Sequence, residues 1–508
     1  MTTYLLPTAP DQLSRKRRWA ALVVLMLPVL LVSIDNTALS FAVPSLSRSL
    51  APTGNELLWI IDVYPLVLAA LLVTMGSLGD RLGRRRILLV GATGFAVVSV
   101  LAAFVPTAGW LISARALLGV FGAMLMPATL SLIRNIFTDA SERRTAIAVW
   151  ASGFSAGAAL GPMVGGWLLQ HFWWGSIFLI ALPVMLPLLI LGPHLLPESR
   201  DPEPGPVDPI GILLVSGALA ASVFAIKAFA SEGLSAVPLA AILVGLACGW
   251  AFVRRMLARA NPMLDVRLFR NPVFSVSLTV NLVSVFSLVG FIYFFAQHLQ
   301  LIAGHSPLRA ATMMIPGLAF TVAFGLAAVP LARRFGAVRV MVAGVLLNAI
   351  GYFTVATTGH TGSMTVLLLA FVVLCAGVGM SETISNDLAL GAVPTGKAGA
   401  ASAVSETAYE VGAVLGTALL GSLLNLAYRE GVSVPAGVDG AAARQARATL
   451  GGAAEVAEGL PAASADALLS SAARAFDSGV TLTAAIACGL SLAVAYGAHR
   501  VLRGRDSV

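Results

Sequence analysis

The sequence predicts an all-α membrane protein that crosses the bilayer many times. Hydrophobic residues make up 58% of its 508 residues, and charged residues only 11%. A water-soluble domain has about 25% charged residues, so this chain lacks the polar surface that water requires. Its apolar residues are gathered in runs close to the roughly 20 residues that span a bilayer as a helix. These observations exclude an ordinary soluble enzyme, a secreted disulfide scaffold and a disordered regulator.

Hydropathy predicts fourteen transmembrane helices. The first apolar run follows a basic cluster, as in a signal peptide, but it is too long for one and contains Asp35. We therefore retain it as span 1. The fourteen spans are predicted at roughly 19–43, 57–78, 86–106, 109–133, 145–168, 174–192, 209–229, 236–256, 272–295, 308–332, 338–357, 363–390, 400–427 and 478–500.

The basic residues predict the orientation. With a cytoplasmic N-terminus, 24 of the 32 lysines and arginines lie inside and six lie in outer loops. Basic residues accumulate in cytoplasmic loops, so both termini are predicted to be cytoplasmic. The net charge of +8 therefore reflects orientation. The basic residues form short clusters between apolar runs, which argues against a nucleic-acid partner.

An internal similarity divides the chain into two halves. GSLGDRLGRRR (76–86) follows span 2, and LARRFGAVRV (331–340) follows span 10. The two similar loops are eight spans apart. This spacing predicts two six-helix halves, spans 1–6 and 9–14, with spans 7–8 inserted between them. Repeated halves of this kind place a binding site at their interface near the midplane. The predicted regions are an N-tail (1–18), the first half (19–192), a cytoplasmic linker (193–208), the inserted pair (209–256), spans 9–13 (257–427), an outer loop (428–477), span 14 (478–500) and a C-tail (501–508).

The outer loop has two alanine-rich stretches, 438–449 and 463–476. They are compatible with short amphipathic helices over the outer exit. The alternative is a solvated insertion without a role.

Acidic residues within the predicted spans are the strongest functional signal. Each charge at bilayer depth costs at least about 2.5–3.5 kcal/mol, so these groups must face a watery cavity or pair with a cation. We predict proton and substrate binding by five of them, and a helix cap or gate by the sixth, Asp387. The alternative for the five is a structural ion pair or a helix-end cap. The five are Asp35, Asp62, Glu382, Glu406 and Glu410.

Such a cavity would support exchange of a proton for a cation. Burial favours the neutral form of a carboxyl group, whereas a bound cation favours the charged form and expels the proton. Proton and cation then compete for one site. Glu406 and Glu410, four residues apart on one helix face, are expected to titrate as a coupled pair.

Two segments in the first half carry further motifs. The loop after span 2 is predicted to form a tight, charged turn at the inner face, with simple membrane anchoring as the alternative. Arg115 in RALLG (115–119) is a buried cation that needs an acidic partner, unless it extends to the interface. Lys227 is expected to extend to the outer interface in that way. The predicted gating residues here are Gly76, Gly79, Asp80, Arg81, Gly83, Arg84, Arg115 and Gly119.

Span 5 carries glycines spaced by four residues. This spacing places them on one helix face, where another helix can approach closely. The proline among them is expected to kink the helix. Ordinary small-residue packing is the alternative to a conformational role. The residues are Gly153, Gly157, Gly161, Pro162 and Gly165.

These motifs, in this order, resemble the major facilitator superfamily in its 14-helix drug:proton antiporter branch. The resemblance covers nearly the whole chain and is carried by GSLGDRLGRRR, RALLG (115–119), the glycine run 153–166, IDNTALSFAVP (34–44), WGSIFLIALP (174–183), WIIDVY (59–64) and SETAYEVGAVLG (405–416). It implies proton-driven export of hydrophobic cations, such as quaternary ammonium antiseptics and dyes, across a cell membrane. It also implies proton coupling or cation binding by Asp35, Glu406 and Glu410, and an inner gate centred on Asp80.

Two other functions remain open. One is export of a single antibiotic or metabolite by the same fold, and the other is a non-transporting receptor or scaffold. Histidines and cysteines lack metal-ligand spacing and no P-loop occurs, so we expect no metal, no cofactor and no enzyme activity, with an ion gradient as the energy source. We expect a monomer whose partners are lipophilic cations, protons and membrane lipids. The excess of arginine over lysine is typical of a GC-rich bacterial genome.

Overall fold

The computed structural model describes residues 14–200, 208–233, 235–259, 262, 264, 266–358, 364–393, 398–436, 438 and 440–503, apart from some side chains within helices. In these ranges all regular elements are helices, which confirms the all-helical prediction. Thirteen of the described helices are long and apolar enough to cross a membrane. The total of fourteen spans and the cytoplasmic termini stay predictions. We use "outer" and "inner" for the ends of the helices according to the predicted orientation.

The first half consists of seven helices, two of which follow each other closely at the position of predicted span 6. Helix α1 packs against α5 and α7, and α4 packs against α2 and α3. The helices are α1 (Arg15–Leu50), α2 (Gly54–Leu82), α3 (Arg84–Ala103), α4 (Ala108–Ile136), α5 (Ala140–His171), α6 (Ser176–Leu179) and α7 (Ala181–Leu195).

The inserted pair consists of α8 (Pro209–Glu232) and α9 (Ala236–Ala258), which pack against each other. Helix α8 also contacts α2 of the first half. Asp208 precedes α8, and Arg255 of α9 donates to both of its carboxylate oxygens at 2.8 Å. The hydrogen bonds from Arg255 hold the pKa of Asp208 below its usual value. This ion pair joins the inner ends of the two inserted helices.

The second half is built around α13, which packs against α10, α11 and α12. A π-helical turn, Gly416–Gly421, joins α14 to α15 so that the three form one continuous helical rod. The helices are α10 (Pro272–Gln297), α11 (Pro307–Phe335), α12 (Ala337–Thr358), α13 (Met364–Gly391), α14 (Ala398–Leu415) and α15 (Ser422–Gly431), and α10 is preceded by a 3-10 turn (Val266–Arg270) and followed by a π-helical turn (His298–Ile302).

The outer segment after α15 is more helical than the predicted loop. Two short helices, α16 (Gly440–Ala448) and α17 (Leu450–Glu458), form a hairpin, which we call the outer hairpin. Helix α18 runs from Ala462 to Leu502, so the stretch 463–476 is helical and continuous with predicted span 14, whose membrane boundary at 478 stays a prediction. That stretch is rich in alanine and has no glycine or proline, so nothing ends the helix there. The last helix therefore projects beyond the predicted membrane boundary.

The two halves touch through α2 with α14, α5 with α11, and α1 with α10. Their outer ends are close together. The Gln300 side chain donates to the backbone carbonyl of Phe41, and Asn425 donates to that of Gly54, both at 3.3 Å. A Cβ at Gly166 of α5 would lie 2.8 Å from the carbonyl oxygen of Pro307 at the start of α11. The outer side of the interface is therefore closed by contacts that involve both halves.

Candidate functional site: a charged central cavity

A narrow cavity lies between the two halves near the middle of the helices. Its volume of about 40 Å³ holds about three water molecules, whereas drug-sized sites need about 300 Å³ or more. The cavity is thus closed to a large substrate in this conformation. Its polar walls come from both halves: Ser33, Thr37, Asp62 and Arg115 from the first, and Tyr409 and Thr417 from the second.

Arg115 of α4 is a buried structural cation at this cavity. Its guanidinium contacts Asp35 of α1 at 2.5 Å, and its Nε donates to the carbonyl oxygen of Ile60 at 3.1 Å. The same guanidinium lies 4.5 Å from the ring centroid of Tyr64. The structure thus provides the acidic partner that the sequence requires for Arg115. One turn later, Gly119 lets α2 approach, since a Cβ there would lie 2.7 Å from the Tyr64 carbonyl oxygen.

Lys227 forms a second buried ion pair, and its predicted extension to the outer interface is wrong. Its ammonium lies 2.9 Å from Asp62, and the two side chains are 1% and 0% exposed. The ammonium also lies 3.9 Å from the ring centroid of Trp59. The reason is that α8 packs against α2, so an acid and an aromatic face lie closer to the lysine than the aqueous interface. Asp62 therefore has a resident cation in this conformation.

The three glutamates differ from these aspartates. Glu382 on α13 and Glu406 on α14 are partly exposed, whereas Glu410 is only 5% exposed. None of the three forms an ion pair with any residue in the described ranges. One carboxylate oxygen of Glu410, Oε2, also accepts no hydrogen bond from the described residues. Glu406 and Glu410 lie on one face of α14, as their spacing predicts.

Sequence reasoning missed a polar cluster beside these glutamates. The Asn281 side chain on α10 donates to Asn386 of α13 at 3.0 Å and to Ser405 of α14 at 3.1 Å. These bonds join the three helices close to the chain positions of Glu382 and Glu406. An asparagine within a strongly apolar run was the available signal, because an unsatisfied amide in lipid is costly.

The loop after α2 is anchored to the linker. Gly83 has a φ of +111°, which disfavours other residues, and a Cβ there would lie 2.6 Å from a carboxylate oxygen of Glu198. The same oxygen accepts a hydrogen bond from the Arg85 backbone at 3.1 Å, and the Arg84 backbone donates to the Ser199 carbonyl at 2.9 Å. The predicted irregular linker is therefore partly ordered by this turn.

The other predicted gating residues lie near the inner ends of α2 and α13. The side chain of Asp80 lies outside the described residues, so its predicted gate stays a prediction. Asp387 is exposed near the inner end of α13. Gly76 and Gly79 lie on α2, where a Cβ at Gly76 would be in ordinary contact with Pro127 at 3.4 Å.

The glycine face of α5 lies against α1. A Cβ at Gly157 would lie 2.6 Å from that of Ser33, one at Gly165 would lie 3.0 Å from that of Ala38, and one at Gly161 would collide with Thr37. The close approach that the spacing predicts is present. Pro162 lies within α5, which continues to His171. The predicted kink and a conformational role for this face stay predictions.

Comparisons with known proteins agree with this architecture. The family model described as "Major Facilitator Superfamily" matches residues 25–417. The chain belongs to the major facilitator superfamily. Members of this superfamily are transporters rather than enzymes, and this one is a multi-pass membrane protein. The predicted family and the absence of an enzyme function are thus confirmed at the family level.

Two relatives show the similarity within this superfamily. The chain is 54% identical to the multidrug efflux pump LfrA of Mycolicibacterium smegmatis, over 97% of this chain and 98% of the relative. It is 36% identical to the methyl viologen resistance protein SmvA of Salmonella typhimurium, over 91% and 93%. Among solved structures, an inward-facing bacterial homologue of the human lysosomal transporter Spinster has a TM-score of 0.64 at 18% identity, with 96% and 98% coverage. That structure supports the fold alone.

Proposed function

We propose that this protein is a proton-coupled antiporter that exports hydrophobic cations, including drugs, dyes and quaternary ammonium antiseptics, by alternating access. The observation that carries the proposal is Glu410, a buried carboxylate without an ion-pair partner in the described residues, on the helix that also contributes Tyr409 and Ala413 to the cavity. The similarity to LfrA and SmvA, both named for drug export or resistance, supports the same substrate class.

The charge distribution suggests a division of labour among the acids. Asp35 and Asp62 are neutralised by Arg115 and Lys227, so they need no exchangeable cation in this conformation. A carboxylate in a low-dielectric site without such a partner is costly. We therefore assign proton and cation exchange first to Glu410, with Glu406 and Glu382 on the route to it. The five acids that the sequence groups together are thus divided into two aspartates with fixed partners and three glutamates that exchange protons and cations.

The transport cycle follows from competition for these glutamates. A cation entering from the cytoplasm is attracted to the charged carboxylates and displaces their protons. The halves then close at the inner end and separate at the outer end, where external protons neutralise the carboxylates and release the cation. Exchange of one monovalent cation for one proton moves no net charge. It is driven by about 1.4 kcal/mol for each pH unit of gradient.

Reconstituted vesicles provide the test. We expect ethidium efflux to follow an imposed pH gradient and to stop when a protonophore collapses it. In detergent, ethidium binding should weaken as the pH falls, because protons occupy the same carboxylates. Ethidium movement that is indifferent to the gradient would contradict the antiport mechanism.

A dedicated exporter of one compound is the alternative. Chemically diverse cations would share only charge and apolar surface, which an acidic cavity with aromatic and aliphatic walls recognises. Efflux measured across cations of different shape decides between the two. Export restricted to a single compound would favour the alternative.

A further inference from the structure

A second cavity, which we call the outer cavity, opens at the outer end of the protein. It has a volume of about 730 Å³, within the range of small-molecule sites. It lies between the start of α2, the inserted helix α8, α15 and the outer hairpin. Asp62 and the acidic helix α14 do not line it, so it is distinct from the central cavity.

The walls of the outer cavity are strongly basic. The sequence places only six basic residues in outer segments, and three of them, Arg429, Arg444 and Arg447, line this cavity together. Glu430 is the acidic residue among its lining residues. The first turn of α2 also lines it through Gly54 and Asn55, but the Glu56 carboxylate caps that helix end, so the positive charge of the cavity comes from its arginines. This concentration of positive charge would repel a transported cation and attract an anion.

Two buried side chains extend the basic wall into the protein. Lys227 lines the outer cavity although its side chain is only 1% exposed. Ser422 on α15 lines it as well, is 2% exposed, and its hydroxyl has no hydrogen-bond partner among the described residues. A buried hydroxyl without a partner is costly, and a ligand oxygen in the cavity would supply the missing hydrogen bond.

We propose that the outer cavity binds a phosphate group of net negative charge, supplied either by an anionic phospholipid headgroup of the outer leaflet or by free phosphate. Arginine guanidinium groups bind phosphate oxygens through paired, charge-assisted hydrogen bonds. The cavity lies at the level where α2 begins, near the predicted headgroup region, so both sources can reach it. The wall includes Lys227, which also neutralises Asp62. A phosphate bound here would compete with Asp62 for that ammonium.

Thermal unfolding of the purified full-length protein tests the site without a transport assay. One arm adds inorganic phosphate in detergent, with sodium chloride at equal ionic strength as the reference. The other compares nanodiscs of phosphatidylcholine with and without phosphatidylglycerol. Arg444→Gln with Arg447→Gln removes two of the three lining arginines, and Ser422→Ala removes the buried hydroxyl. Arg474→Gln is the matched control, because Arg474 is an exposed outer arginine on α18 that does not line the cavity.

We expect phosphate, phosphatidylglycerol or both to raise the unfolding temperature of the natural protein. The double arginine variant should bind about tenfold or more weakly, and Ser422→Ala several-fold more weakly, while Arg474→Gln binds normally. A response to inorganic phosphate identifies free phosphate as sufficient, and a response to phosphatidylglycerol alone identifies the lipid. No response to either probe, or an equal loss in Arg474→Gln, would overturn the proposal.

Discussion

A carboxylate buried in a membrane protein needs a neutralising partner, and the partner determines what the carboxylate can do. Asp35 and Asp62 have arginine and lysine partners held by the fold. Glu410 has none among the described residues, although it is only 5% exposed. A fixed partner stabilises the structure, whereas an exchangeable proton or cation can drive transport. The two kinds of acid are therefore expected to respond differently to neutralisation.

Glu410→Gln should abolish most proton-driven export. The amide keeps the shape of the side chain but cannot exchange a proton or attract a cation, so we expect ethidium efflux to fall by about tenfold or more. Efflux from vesicles under an imposed pH gradient measures this. Glu458→Gln, an exposed glutamate at the end of the outer hairpin, is the control. Normal efflux by Glu410→Gln would remove this residue from the mechanism.

Lys227→Met should leave Asp62 buried without its cation. Removing one partner of a buried ion pair typically costs about 3–5 kcal/mol, so the unfolding temperature should fall clearly. The double variant Asp62→Asn with Lys227→Met removes both charges and should recover most of that stability. If Lys227→Met and the double variant are both as stable as the natural protein, the pair does not stabilise this conformation.

The residues show how far sequence reasoning extends. It identified Asp62 at the cavity, the glutamates of α13 and α14, and the need of Arg115 for a partner, because a charged residue within an apolar run stands out in the sequence itself. It could not assign Lys227 to Asp62, since that contact depends on how the inserted helix α8 packs against α2. It also missed Asn281, whose hydrogen bonds to Asn386 and Ser405 exist only after α10, α13 and α14 assemble.

Helix packing depends on small residues where α1 meets α5. A larger side chain at Gly157 would push against both the side chain of Ser33 and the backbone of Leu30. We expect Gly157→Val to destabilise the protein by about 1–3 kcal/mol, measured by thermal or denaturant unfolding. Gly489→Ala on α18 is the control, because a Cβ there meets nothing within 4 Å. If both substitutions changed the stability equally, the face of α5 that contacts α1 would tolerate larger side chains.

The ion pair of Asp208 and Arg255 at the inner ends of the inserted helices predicts that the stability of the protein depends on pH. The pKa of Asp208 is lowered in the folded protein by hydrogen bonds from Arg255. Ionised Asp208 therefore stabilises the folded protein fully above the ordinary aspartate pKa of about 3.9. This stabilisation is lost as the pH falls through the lower pKa that Asp208 has in the folded protein. Asp208→Asn should cost about 1–2 kcal/mol at pH 7 and progressively less below about pH 4. Unfolding measured across pH checks this, and a constant difference would contradict it.

Element boundaries were predictable where composition changes sharply. Most helices lie at their predicted positions because apolar runs end at glycine, proline or charged residues. The start of α18 was not predictable from composition, because the alanine-rich segment before residue 478 is neither apolar enough to indicate a membrane span nor polar enough to indicate a loop. This segment is helical because alanine has a high helix propensity and because the helix packs against α15 and α17.

Alternating access requires the outer contacts between the halves to break and form again. In this structure they are formed, and the central cavity is too small for a drug-sized cation. Gly166 makes a close backbone contact at this side, because a Cβ would lie 2.8 Å from the Pro307 carbonyl oxygen and 2.9 Å from Ala311. A backbone atom cannot move aside cheaply. A side chain at this position should therefore oppose outer closure more than it disturbs either half.

Gly166→Val should shift the population towards conformations that are open on the outer side. Spin labels at exposed positions 48 and 309, at the outer ends of α1 and α11, report the separation of the halves. We expect longer distances in the variant, together with slower ethidium efflux, because the return to the closed outer face becomes unfavourable. Gly165→Ala is a useful comparison, since Gly165 faces α1 within the same half. It should lower stability without lengthening the distance between the labels. Unchanged distances in Gly166→Val would mean that closure of the outer side does not depend on this contact.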